Sequence, residues 1–160
     1  MGIQFHYAAS GLARGFLKTA SVLFVFTGFA KVLSALGEAR ILAQHDPIFD
    51  FLTNRQLIFV AGAMELSVGA LIFSWPKILP RLCLVAWVST LFLAYRTGLL
   101  AIGYHGSCPC LGTVADFTHL SPKAIDLVLK AILGYLLAVS FALLLRARIA
   151  PLEPSPAPSS

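Results

Sequence analysis

Two cysteines separated by a single residue carry the most specific chemistry in this 160-residue chain. Cys108 and Cys110 stand in His105-Gly-Ser-Cys-Pro-Cys-Leu-Gly112, and the third cysteine, Cys83, lies well upstream. A disulfide between such close neighbours closes a small, strained ring, and strain makes a disulfide easier to reduce. The pair therefore suits thiol–disulfide exchange better than stapling. Pro109 fixes one backbone torsion and removes an amide donor, while Gly106 and Gly112 permit turns on either side. Two other readings compete with exchange. In one, the thiols are idle or pair with other chains. In the other, they bind a soft metal ion, copper(I) or zinc, with His45, His105 and His119 as imidazole partners. A single intervening residue is tighter than the roughly two to four usual for zinc, which weighs against that ion.

The elements that must position this pair follow from composition. Apolar residues make up 58% of the chain and charged residues 12%, with a mean hydropathy of +0.84. A soluble domain has about 45–50% apolar and about 25% charged residues, so a water-soluble globular fold is disfavoured. Four apolar segments, Phe16 to Leu36, Leu57 to Trp75, Leu82 to Tyr104 and Ile125 to Leu145, each approach the roughly 20 residues that a helix needs to cross a bilayer. The expected fold is an all-α integral membrane four-helix bundle over residues 16–145. An N-terminal segment, 1–15, precedes it, and a Pro/Ser/Ala-rich tail, 146–160, expected to be disordered, follows. Asp46-Pro47 and Ser121-Pro122 combine a capping side chain with a first-turn proline, and are expected to open the second and fourth helices. Pro76 to Arg81 reads as a tight turn, and Trp75 and Tyr104 as interfacial aromatics.

Basic residues in the short connections set an expected orientation. Arg14, Lys18, Lys77, Arg81, Arg146 and Arg148 fall on one side; Arg40, Arg55 and Lys123 fall on the other, offset by Glu38, Asp46, Asp50 and Asp116. The positive-inside rule then places both termini in the cytoplasm and segments 37–56 and 105–123 outside, in the periplasm of a bacterium. The net charge of +5 reports topology on this reading, with a lipid bilayer as partner and no nucleic acid. Cys108 and Cys110 thereby occupy the oxidising side, where disulfides persist. Cys83 lies at the opposite face, more than about 30 Å away along the third helix, and cannot resolve them.

Three charges interrupt the spans. Lys31, Glu65 and Arg96 each fall about 8–12 Å below the outer surface at the helical rise, which predicts one cluster. Structurally, Lys31 and Arg96 would neutralise Glu65 and lock helix order. Functionally, the cluster would hold a polar head group such as a quinone carbonyl, or pass protons released by thiol oxidation. Lys130, shallower in the fourth span, reads as a snorkelling side chain. Ser21, Gly28 and Ala35 recur every seven residues, as do Gly62 and Gly69, and predict close-packing helix faces.

These residues together resemble the MauE/DoxX-like family of redox-associated bacterial membrane proteins. The resemblance rests on Thr27-Gly-Phe-Ala-Lys31, on Asp46-Pro-Ile-Phe49, on Glu65 with Gly69, and on Cys108-Pro-Cys-Leu-Gly112 after the third span. The last element is similar to the family's Cys-x-Cys-aromatic-Gly signature, with Pro109 where Gly is usual and Leu111 where Phe is usual. The resemblance implies a four-helix inner-membrane protein with a role in periplasmic disulfide chemistry and a thioredoxin-like partner of the MauD type, in a family associated with maturation of methylamine dehydrogenase. The expected function is a thiol–disulfide oxidoreductase component. Cys108 and Cys110 would carry the electrons, Pro109, Gly112, Lys31, Glu65 and Arg96 would support them, and a quinone is one candidate acceptor. A copper- or zinc-handling membrane protein and a non-catalytic scaffold subunit are the rival classes.

Overall fold

The computed structural model describes residues 2–37, 40–103 and 122–149. Four helices account for most of them: α1 (Gly2–Ala35), α2 (Asn54–Ser74), α3 (Ile78–Ala101) and α4 (Pro122–Ile149), with one 3-10 turn at Arg40–Ala43. No strand occurs among the described residues, apart from an isolated antiparallel bridge between His45 and Thr53. Every helix contains a stretch long and apolar enough to cross a membrane: Gly11–Ala35, Asn54–Ser74, Ile78–Ala101 and Asp126–Ala147. The all-α four-helix membrane architecture expected from hydropathy is the one observed.

The helices extend past the expected spans. Residues 2–15 continue α1 without a break, and residues 146–149, expected to open the disordered tail, complete α4. The connection between α2 and α3 is also shorter than expected, because α3 already begins at Ile78. Pro80 falls in that first turn, where its missing amide would have had no intrahelical partner.

Large apolar side chains cover the outside. Phe26, Phe73, Val22 and Leu127 are each more than 65% exposed, which suits a hydrocarbon surround. Polar residues face inward instead, and Ser21, Ser34, Glu65, Ser89 and Ser140 are all buried.

α1 packs along α2, α3 packs along α4, and the two pairs meet sparsely. The first pair is drawn together by the small residues. Gly28 and Gly62 face each other so closely that a Cβ on either would lie 2.9 Å from the other's carbonyl oxygen. One heptad away along each helix, Ser21 Oγ donates to the Gly69 carbonyl at 2.9 Å. These two contacts run in opposite directions along the two chains, so α1 and α2 are antiparallel. Apolar packing between the pairs concentrates around Phe16, Leu17, Ala20 and Phe24 of α1, Leu82, Val85 and Val88 of α3, and Leu136 and Leu143 of α4.

A Gly62→Val substitution should force α1 from α2, because the nearest opposing atom is the Gly28 backbone carbonyl oxygen, which cannot yield. We expect a loss of about 1–3 kcal/mol, read as a lowered thermal transition of the detergent-solubilised protein. Gly134→Ala, on an open face of α4 with nothing within 4 Å, should leave that transition unchanged or raise it slightly.

Candidate functional site

A cavity of about 410 Å³ lies in the seam between the two helix pairs. All four helices line it, together with Phe49 from the connection before α2. Its walls are predominantly apolar, and Thr27, Lys31, Glu65, Ser89, Tyr95 and Arg96 supply the polar side chains. The three charges that interrupt the spans therefore do converge on one space.

Their pairing differs from the expected one. Lys31 Nζ donates to both carboxylate oxygens of Glu65 at 2.7 Å, with side-chain exposures of 12% and 5%. The geometry follows from the glycine crossing. Lys31 and Glu65 sit one turn beyond Gly28 and Gly62 on opposite sides of it, and their Cβ atoms are the ones nearest to those glycines after the backbone contact. Helical side chains lean toward their own N-terminus, so on antiparallel helices these two lean toward each other. The Lys31 ammonium also stands 5.3 Å from the centroid of Phe92, which binds the first pair to α3 through a cation–π contact.

Arg96 does not share Glu65. Its guanidinium bonds Asp126 Oδ1 at 2.6 Å, and Lys130 bonds Asp126 Oδ2 at 2.6 Å one turn along α4. Lys130 is thus the outer member of an ion triad rather than a lone snorkelling cation. Arg96 departs from the expectation because its partner is on α4, the helix α3 packs against, whereas Glu65 already holds a bidentate partner. Asp126 is the residue that sequence reasoning overlooks. Its i,i+4 relation to Lys130 was the available signal.

A second correction concerns Asp46-Pro47, which does not open α2. Asp46 is fully buried, and its Oδ1 accepts from the amides of Ile48 and Phe49, each at 2.9 Å, in an Asx turn. The chain then turns back, Asp46 N–H donating to the Leu52 carbonyl and Asn54 N–H to that of Gln44. The helix starts only after Thr53, whose hydroxyl caps the Gln56 amide while the Gln56 side chain caps Thr53 in return. Thr53-Asn-Arg-Gln56 is a capping box, and the sequence displays it. The remaining Asp46 oxygen accepts from the Tyr95 hydroxyl at 2.5 Å, and the rings of Phe49 and Tyr95 stack in parallel. This connection is thereby pinned onto α3 over one end of the cavity.

No family model, curated protein or solved structure matches this chain. What the site can do must come from its own geometry and from the sequence. Cys108, Pro109, Cys110, Gly112, His105, His119 and the Ser121 cap lie outside the described residues. Pro122 is the first residue of α4, where a first-turn proline belongs. Cys83 is exposed near the start of α3, at the end remote from Arg96, and is unpaired. His45 is exposed, and among the described residues no group of three or more His, Cys, Asp or Glu side chains is placed to hold a metal ion.

Chemically, the described part of the site is a predominantly apolar space whose charged side chains are each ion-paired. Breaking one pair should cost more than removing it whole. Lys31→Met alone strands a buried carboxylate, and we expect a loss of about 3–5 kcal/mol. The double variant Lys31→Met/Glu65→Met should recover most of it, as measured by denaturant unfolding of the solubilised protein followed by circular dichroism.

Proposed function

We propose that this chain is a membrane thiol–disulfide redox protein whose Cys108 and Cys110 alternate between dithiol and disulfide. The observation that carries the reading is the position of the Cys-Pro-Cys element in the sequence that joins α3 to α4. The flanks of that sequence are tied together by the ion pair of Arg96 and Asp126, and the neighbouring connection is pinned by Asp46 and Tyr95. Both ties lie at the same end of the bundle, the end at which α3 stops and α4 starts. The resemblance of Cys108-Pro-Cys-Leu-Gly112 to the MauE/DoxX-like signature supports the same role.

In the proposed exchange, the thiolate of one cysteine attacks a disulfide of a soluble partner and displaces one partner thiolate. A mixed disulfide joins the two proteins. The second cysteine then attacks the first, releasing the other partner thiolate and closing the Cys108–Cys110 disulfide. Two electrons and two protons pass to the partner, which leaves as a dithiol. Run in reverse, the same steps oxidise a partner dithiol and return the pair to its reduced form. A thioredoxin-like protein is the proposed partner class, because its own paired cysteines exchange in this way. The proposed setting is a bacterial inner membrane with both termini cytoplasmic, in keeping with the distribution of Lys and Arg.

Alkylation-shift trapping in a Cys83→Ala background tests the proposal. Two thiols should be modified after reduction and none after mild oxidation, and an impermeant reagent should reach the reduced pair from the periplasmic side. Cys108→Ser should abolish the redox-dependent shift. A pair that stays reduced under oxidising conditions would overturn the reading. Stoichiometric copper or zinc in that protein would assign the cysteines to metal handling, and its absence would leave a scaffold.

A further inference from the structure

Ser89 sits midway along α3, is fully buried, and lines the cavity between the helix pairs. Its hydroxyl has no hydrogen-bond partner among the described residues. Ser34 Oγ, also buried, shares this condition, but of the two only Ser89 lines the cavity. Thr27, Ser67, Ser74, Thr90 and Thr97 each return their hydroxyl proton to the carbonyl four residues earlier, the standard way for a helix to satisfy such a group in an apolar surround. Ser89 makes no such bond. A buried hydroxyl without a partner costs free energy, and a ligand that accepts its proton recovers that cost.

The surroundings limit what that ligand is. A lone water needs two to four polar partners, and the walls of the cavity are predominantly apolar. An anionic head would need an unpaired cation. Lys31 is committed to both oxygens of Glu65, and Arg96, bonded to Asp126, stands two helical turns, about 10 Å, along α3 from Ser89, so a carboxylate at Ser89 would remain an uncompensated charge in an apolar space. A neutral carbonyl needs only one donor. The volume of about 410 Å³ lies within the range of roughly 300–1,000 Å³ typical of small-molecule sites. Phe49 and the Asp46–Tyr95 bond lie at the end facing the connections, while α2 and α4 barely touch, so a lipid-soluble compound would enter between those two helices.

We propose that the cavity binds a neutral, lipid-soluble carbonyl compound, whose oxygen accepts a hydrogen bond from Ser89 Oγ and whose apolar body fills the seam between the helix pairs. This site does not depend on the cysteines. The proposal concerns binding alone and holds whether or not Cys108 and Cys110 exchange disulfides.

The full-length protein in nanodiscs, titrated calorimetrically with a decyl-substituted benzoquinone, with dodecanoate and with dodecane, tests it. The quinone should bind saturably at one site, and more tightly than either comparison compound. Ser89→Ala should weaken it about tenfold, the scale of one hydrogen bond, without lowering the thermal transition of the unliganded protein. Ala61→Phe, which fills the cavity, should abolish binding. A Cys108→Ser/Cys110→Ser protein should bind as the parent does, which separates this site from the redox reading. The absence of saturable quinone binding, undiminished affinity in Ser89→Ala, or equal affinity for dodecanoate or dodecane would overturn the proposal.

Discussion

Where Gly28 and Gly62 meet, no side chain separates α1 from α2, and the backbones approach too closely for a Cβ to fit between them. In a bilayer the hydrophobic effect does not press helices together, because lipid tails are as apolar as leucine. Association rests instead on close packing and on polar contacts that form only at short range. The glycine crossing supplies the first and makes room for the second. It sets the register in which Ser21 reaches the Gly69 carbonyl and Lys31 reaches Glu65. Two buried charges are thus held by the absence of two side chains. The cation–π contact to Phe92 then passes this register on to α3.

The second helix pair is organised differently. α3 and α4 carry no comparable glycine crossing, since Gly134 has open space where a side chain would be. Their ion-paired charges sit close to one end, where Arg96, Asp126 and Lys130 close a triad beside the connection between the helices. The connection before α2 reaches the same end of α3 through Asp46 and Tyr95. Apart from the Ser21–Gly69 bond, the polar ties between elements described above crowd one end of the bundle, whereas apolar side chains such as Phe16, Leu82 and Leu143 fill the opposite half. The cavity lies where neither kind of contact closes the seam.

Much of this was legible in the sequence because a membrane span tolerates so few departures from apolar character. Lys31, Glu65 and Arg96 stand out in their runs, and the helical rise alone puts them at a common depth. The seven-residue spacing of Ser21, Gly28, Gly62 and Gly69 likewise identifies the packing face before any partner is known. Pairing is harder to read, because it depends on which helices are neighbours. Asp126 stands at the start of its span, where an acidic residue passes for a helix-end feature, and it was the neighbour that Arg96 needed. Asp46 misleads for a related reason, since its Asx turn uses the same acceptor chemistry as a helix cap and only the tertiary contact with Tyr95 separates the two. Ser89 gives no signal at all. A serine within an apolar helix ordinarily satisfies itself, and nothing in its neighbours announces that this one does not.

The order in which the charges occur along the chain bears on how such a protein enters a membrane during synthesis. Lys31 on α1 is followed by its counter-ion on α2, and Arg96 on α3 by its counter-ion on α4. Lys31 and Arg96 each find a counter-ion on the very next helix to emerge, so both charges are paired within their own helical hairpin when it leaves the insertion machinery. Neither half has to hold a bare charge in lipid while waiting for the other. The two hairpins can thus be inserted as separate units and meet afterwards, their seam the last part of the molecule to form.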